Sequence, residues 1–134
     1  MSMNSKDLTM KRDITALFDQ WNEAVKSGDP DRVTSMYAFN AILLPTVSNK
    51  VRHNHEEIRD YFAQLLASKT SARIDESNIR IYNDIAINSG VYTFTFSRGV
   101  QEPFTVKARY TFVYQWFGDH WLIVEHHSSR MPEQ

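Results

Sequence analysis

From Ser71 onward the apolar residues fall at every second position, through the runs RIDESNIRIY, IAINSGVYTFTF, FTVKARYTFVYQWF and HWLIVEHHSS. A period of two belongs to strands whose side chains alternate between two faces, so the second half of this chain must form a sheet with one side buried. Gly99 and Gly118 stand between runs, where the chain has to reverse. Tyr92, Phe94 and Phe96 share a face of one strand, and Tyr110, Phe112, Tyr114 and Trp116 share a face of the next. So aromatic a face needs a cover, and the first half of the chain must supply it.

That first half has the helical period. Leu8, Ile14, Leu17, Phe18, Trp21 and Val25 lie on one helical stripe, and Gly28 follows where a left-handed cap is expected. Asp29 offers an N-cap and Pro30 a first helical residue to a short second helix carrying Val33, Met36 and Tyr37 and ending near Phe39. Residues 41–45, AILLP, read as a short buried strand, with a second brief strand around Val51. Asn54 followed by Glu57 is a capping-box-like start for a third helix, whose apolar face is Ile58, Tyr61, Phe62, Leu65 and Leu66. The expected fold class is α+β, with three N-terminal helices packed on a strongly curved antiparallel meander. Residues 1–134 are expected to form one domain, with flexible ends at about 1–7 and 130–134.

Composition narrows the function classes. Fifteen basic against sixteen acidic residues give a net charge of -1, without the basic excess that a phosphate backbone demands, so no nucleic-acid partner is expected. The absence of cysteine excludes disulfides, thiolate catalysis and cysteine-ligated zinc. The start, MSMNSKDLTMKRD, lacks the apolar core of a signal peptide and reads as a solvated helix beginning. No run approaches the roughly 18 apolar residues of a membrane span. A cytoplasmic protein with no membrane partner is expected.

The last strand raises the question of chemistry. Strict alternation places Leu122, Val124, His126 and Ser128 on one face and Trp121, Ile123, Glu125 and His127 on the other. His126 and Ser128 then join Tyr92, Tyr110 and Tyr114 on the concave side. A histidine beside tyrosines could move protons near neutral pH, or it could be a core histidine satisfied by a serine or tyrosine hydroxyl. A curved sheet over helices forms a cone, and the expected ligand cavity is lined by Trp21, Tyr92, Phe94, Tyr110, Phe112, Tyr114, His126 and Ser128. The alternative is that the aromatics fill it.

His53 and His55 could in principle join His126 as three metal ligands. Because Asn54 starts a helix, His53 precedes it and His55 falls in an exposed first turn, so neither metal nor cofactor is expected. On the outer face, Arg109, Thr111, Val113 and Gln115 neighbour the Trp121 set, a surface too apolar for a lone subunit. The chain is therefore expected to bind itself, as a homodimer or larger ring, through Arg109, Val113, Trp121, Ile123, Glu125 and His127. Arg109 and Glu125 are its candidate ion-pair members.

The stretch 108–132, ARYTFVYQWFGDHWLIVEHHSSRMP, carries a resemblance. Its pieces are Arg109-Tyr110-Thr111-Phe112-Val113-Tyr114, the Gly118 turn with Trp121, and His126-His127-Ser128-Ser129 with Met131-Pro132. On these, and on the order of elements over nearly its whole length, the chain resembles the NTF2-like superfamily of cone-shaped α+β domains. Within it the chain is similar to bacterial relatives of the calcium/calmodulin-dependent protein kinase II association domain, also labelled SgcJ/EcaC-like or SnoaL-like. That superfamily holds steroid isomerases, polyketide cyclases and pure assembly domains, so the resemblance implies a fold before a function. Its steroid isomerases carry a carboxylate base at the end of the first strand and a tyrosine acid on the first helix. The matching positions here hold Leu44-Pro45 and Trp21, which cannot do that work. Its kinase association domains carry arginines on the concave face of the late strands, in an anion-attracting pocket. The matching positions here hold Phe94, Phe112 and Ser128, which implies a ligand more apolar or neutral than acidic.

Three readings of function follow. The leading one is an oligomeric association or ligand-binding domain without chemistry of its own, its cavity taking a small apolar ligand. The second is a small cofactor-free enzyme of isomerase, cyclase or dehydratase type, acting on an apolar or polyketide-like substrate through His126 and a tyrosine. The third is an accessory subunit that binds another protein. An open cavity fits the first two; a cone packed solid with aromatics fits the third.

Overall fold

The helical stripe of the N-terminal segment is buried along one side, where Ile14, Phe18, Trp21, Ala24 and Val25 are all closed to solvent. The helix that carries them, α1 (Ser5–Ser27), stops at Gly28, whose φ of 77° a glycine adopts without strain and whose N–H donates to the Val25 carbonyl. The structure, a computed structural model, describes residues 5–133, with side chains from Met10 onward. Residues 1–4 and 134 of the expected flexible ends, and the side chain of Leu8, lie outside the described residues.

In α2 (Pro30–Thr34) the Asp29 carboxylate accepts from the Asp31 N–H at 2.9 Å, the cap that the sequence implies. This helix ends five residues before the expected Phe39, because Tyr37 already begins β1 (Tyr37–Leu44). The backbone there finds partners in a neighbouring strand: the Ile123 N–H donates to the Met36 carbonyl, and Tyr37 lies opposite Ile123. The brief strand expected around Val51 is a single bridge between Leu43 and Arg52. Then comes α3 (His55–Leu65), capped as expected by Asn54, which accepts from the Glu57 N–H at 3.0 Å. Glu57 reaches back one residue further than the usual box and accepts from the His53 N–H.

The four alternating runs form β2 (Lys69–Tyr82), β3 (Ile85–Ser97), β4 (Phe104–Trp116) and β5 (Trp121–Arg130), an antiparallel meander. The sheet order is β1-β5-β4-β3-β2, with β1 joining β5 in parallel. Two bulges bend it. At the first, between Ile74 and Glu76, β2 leans so far over β3 that a Cβ at Gly90 would lie 2.0 Å from the Glu76 carbonyl oxygen, so no other residue fits there.

The second bulge overturns part of the expected face assignment. Val113 pairs with Glu125 but Tyr114 pairs with Ile123, leaving Val124 as an inserted residue. One extra residue reverses alternation for everything on its N-terminal side. Ile123 therefore points into the core and is 0% exposed, so it is not on the outer face. Trp121 turns the same way and lies against Trp116, ring centroids 5.4 Å apart, at the strand end. Leu122 and Val124, expected inside with His126, are half-buried instead. Arg109, Glu125 and His127 remain exposed and Val113 half-exposed, on the side away from the helices. Trp116, expected in the aromatic face, projects past its covered end and is exposed.

Candidate functional site

Trp21 occupies the middle of the concave side. Its ring meets those of Phe18, Phe62, Tyr92, Phe94, Phe112 and His126, with centroids 5.5–6.4 Å apart. The expected cavity set of Trp21, Tyr92, Phe94, Tyr110, Phe112, Tyr114, His126 and Ser128 is brought together on this side, each residue no more than 5% exposed. These side chains fill the cone rather than line a space. Tyr92 stacks on Tyr110 at 4.6 Å, and His126 lies flat on Phe112 at 4.0 Å. Three cavities among the described residues, at Phe96–Val106, at Lys107–Met131 and at Thr15–Ile79, are walled by none of the eight. Alternation names which residues face inward, but only their volumes and rotamers decide whether they leave room.

Buried polar groups run through this packing in a line of hydrogen bonds from Trp21 to Tyr92. Trp21 Nε1–H donates to the Tyr37 hydroxyl at 3.2 Å, the Tyr37 hydroxyl lies 2.8 Å from His126 Nδ1, and His126 Nε2 lies 3.2 Å from the Tyr92 hydroxyl. Beyond Tyr92 stand the Ser128 and Thr46 hydroxyls, which are bonded to each other. Burial drives the His126 pKa down to about 3, with the neighbouring His127 adding to the shift, so the imidazole is neutral and both its nitrogens are occupied by tyrosines. Burial also raises the Tyr37 and Tyr92 pKa values well above 10. His126 is thus a satisfied core histidine that offers no free nitrogen to a substrate. Off this line, the Tyr110 hydroxyl donates to Asn88 Oδ1 at 2.9 Å, while the buried Tyr114 hydroxyl has no partner among the described residues.

A desolvated, unpartnered hydroxyl costs roughly 1–3 kcal/mol. Changing Tyr114 to Phe keeps the ring and deletes the cost, so urea denaturation is expected to show a variant more stable by about 1 kcal/mol. A loss of stability of that size would mean that the hydroxyl has a partner in solution.

Space opens instead at the end of the cone where β3 leaves the sheet, β4 enters it and β5 finishes. A cavity of about 270 Å³ lies there, floored by Phe96, Phe104 and Val106 and walled by Tyr61 and Leu65 of α3 and by Val47 and Ser48. Arg98 and Arg130 stand at its edge. Arg98 Nε donates to Ser68 Oγ. Behind the wall Arg52, 7% exposed, lies over the Tyr61 ring at 5.2 Å and donates to Ser48 Oγ at 2.7 Å and to the Lys50 carbonyl. Among the described residues, no carboxylate stands within ion-pair distance of these three arginines; the ion pairs found lie elsewhere. Burial holds the Tyr61 phenol up at about 12, so it faces the cavity as a neutral hydroxyl.

Arg98, Arg130 and this cavity lie outside the expected site, and Arg130 falls at the start of the expected flexible end, 130–134. The signal was present: Arg98 continues the alternation of Phe94 and Phe96, and Arg130 that of His126 and Ser128. The histidine triad does not assemble. His53 Nδ1 bonds Glu57 at 3.1 Å, and His55 is not in an exposed turn but half-buried, its Nε2–H donating to the Tyr37 carbonyl at 2.6 Å. Among the described residues no three His, Asp or Glu side chains converge as a metal site would need.

The calcium/calmodulin dependent protein kinase II association domain profile matches residues 10–132, nearly the whole chain. The chain belongs to this association-domain family. Among solved structures it is similar to a Xanthomonas campestris protein assigned to the same association domain, with 45% identity, a TM-score of 0.88, and 92% of this chain and 89% of the other covered. A Salmonella enterica protein of the nuclear transport factor 2 (NTF2-like) superfamily shares the fold at 18% identity and a TM-score of 0.81, covering 94% of each chain. A Novosphingobium aromaticivorans protein assigned as a scytalone dehydratase does so at 10% identity and a TM-score of 0.85, covering 96% of this chain and 89% of that one. At such identities the likeness concerns the fold alone. No curated protein matches the sequence. No described helix of this association domain is long and apolar enough to cross a membrane.

Proposed function

We propose that this association domain assembles with copies of itself and holds a small amphipathic anion, an aromatic or branched carboxylate, at the open end of its cone. The observation that carries the reading is the pair Arg98 and Arg130, with no carboxylate partner among the described residues, on the rim of an apolar cavity. A guanidinium left without a carboxylate on a low-dielectric wall attracts an anion, and a planar carboxylate fits its paired donors. The volume of about 270 Å³ falls just below the usual range for small-molecule sites, room for one ring with a short acidic arm. The lining contains no Asp, Glu or His, so the site is suited to binding rather than to proton transfer. The ligand is then acidic, not neutral as the replacement of the concave-face arginines by Phe94, Phe112 and Ser128 implied, because the positive charge stands one step further out on β3 and β5.

Phenylacetate, followed by NMR titration, tests the site. Arg98→Ala and Arg130→Ala are each expected to weaken binding about tenfold, as losing a charge-assisted hydrogen bond does, and 2-phenylethanol should bind less well than the acid. Equal binding of acid and alcohol would defeat the anion reading.

Self-association draws on family membership and on the outer sheet face, where Val113 and Ile87 lie side by side, flanked by exposed Arg109, Glu125 and His127. Light scattering during size-exclusion chromatography is expected to give a multiple of the 15.7 kDa chain mass, falling toward one chain in Val113→Glu. A wild-type mass of one chain at micromolar concentration refutes assembly.

A further inference from the structure

We propose that Ser48 is a specificity-determining residue of the open-end cavity, its hydroxyl fixed as a donor to one acceptor oxygen of the bound molecule. This role rests on the reading of that cavity as an anion site and deepens it. Beside the two rim arginines stands a neutral group that tells an acceptor oxygen from a donor.

Which way the hydroxyl works follows from the groups already bonded to it. Ser48 Oγ accepts from Arg52 Nη1–H at 2.7 Å and from the Lys50 backbone N–H at 3.2 Å. Neither partner can take the opposite part, because a guanidinium and a peptide N–H have protons to give and no lone pair to offer. A serine oxygen has two lone pairs and one proton, so both acceptor places are taken and the proton is left. Among the described residues these two are the hydrogen bonds at Ser48 Oγ, and its proton finds no acceptor there.

The cavity is where that proton has a use. Ser48 is half-buried and belongs to the cavity wall with Val47, Tyr61 and Leu65, while Arg98 and Arg130 stand at the edge. The group that holds the serine oxygen is itself held: Arg52 is buried, its guanidinium lies over the Tyr61 ring, and Nη1 also donates to the Lys50 carbonyl. The Arg52 backbone is pinned as well, exchanging both of its hydrogen bonds with Leu43 at 2.9 Å. Turning the serine round to accept from a ligand would strip a buried cation of a hydrogen-bond partner, which is costly. The bond from a cation also polarises the hydroxyl and makes it a stronger donor. A carboxylate is therefore met by guanidinium groups from the rim and by an O–H from the wall, whereas an amine or amide N–H brought to the same place would face a donor.

Phenylacetate titrations followed by NMR test the role with two variants of Ser48. Ser48→Ala, which removes the hydroxyl, is expected to bind phenylacetate about tenfold more weakly, and Ser48→Thr, which puts a hydroxyl back on the same carbon, to restore binding. Failure of Ser48→Thr to regain what Ser48→Ala loses means that Ser48 only shapes the wall, and overturns the role. Wild-type affinity in Ser48→Ala, with Arg98→Ala still weakened, overturns it while leaving the anion site standing. If the wild-type protein binds no phenylacetate, the anion reading falls and takes the role of Ser48 with it.

Discussion

Acid is expected to unfold this protein well before its carboxylates are all protonated, and His126 is expected to set the slope. In the unfolded chain an imidazole titrates near 6.5, whereas burial among Phe112, Trp21 and two tyrosines holds the folded pKa at about 3. Below pH 6.5 the unfolded state therefore takes up a proton that the folded state refuses. The stability tied to this group is fully present above pH 6.5 and is lost as the pH falls toward 3, by up to about 1.4 kcal/mol per pH unit and about 4–5 kcal/mol in all. Glu57 and Asp75, whose pKa values are lowered by His53 and by Thr93 respectively, act in the same direction but only below the ordinary carboxylate range. Urea denaturation between pH 7.5 and 4.5 should show the steep slope in the wild type and a flatter one in His126→Gln, whose amide can still serve both tyrosines. Parallel curves would mean that His126 protonates without unfolding the protein.

The second large effect concerns Trp21. Its indole touches six aromatic rings and anchors the polar line at Tyr37, so Trp21→Ala removes packing from every side at once and leaves the Tyr37 hydroxyl short of a donor. Such truncations cost about 3–5 kcal/mol, a third or more of the stability of an ordinary domain. Calorimetry is expected to show a fall in melting temperature of 10 °C or more, at roughly 2–8 °C per kcal/mol for domains of this size range. Because the ring's neighbours are held by the sheet and by α3, the vacated space should persist, and millimolar indole should raise the melting temperature of Trp21→Ala but not of the wild type. An unresponsive variant would mean that the core collapses into the gap, and a fall of only a degree or two that Trp21 is not central.

The two results bear on function together. A core that is solid around Trp21 and His126 does not hold the ligand, which is why the enzyme reading through His126 finds no free group in the structure. What the core contributes is a rigid support for the open end. The discrimination between a packed cone and an open one is not answered by one or the other alone: the centre is packed, and the opening lies beyond Phe96, Val106 and Ser128.

Elements whose information is local were legible in the sequence. The α1 stripe with Gly28, the Asp29-Pro30 and Asn54-Glu57 helix starts and the four alternating runs all depend on residues within a few positions of each other, and all stand in the structure. The resemblance carried by residues 108–132 led to the right family for the same reason, since a strand-turn-strand pattern is a local signature. What only the tertiary structure decided was whatever depends on one element meeting another. A single inserted residue at Val124 sends Trp121 and Ile123 inward, and nothing in the sequence of β5 marks it, because a bulge is set by how β4 and β5 pair. Tyr37 leaves α2 for β1 because β5 offers it backbone partners 86 residues away. Whether eight inward-facing side chains leave a cavity is a matter of volumes meeting in three dimensions, and here Trp21 fills the space that alternation could only outline. The mouth, with Arg98 from β3 and Arg130 from β5 brought to one rim, exists because the ends of strands far apart in sequence converge there, and a pattern of period two says which way a side chain points but not what stands opposite it.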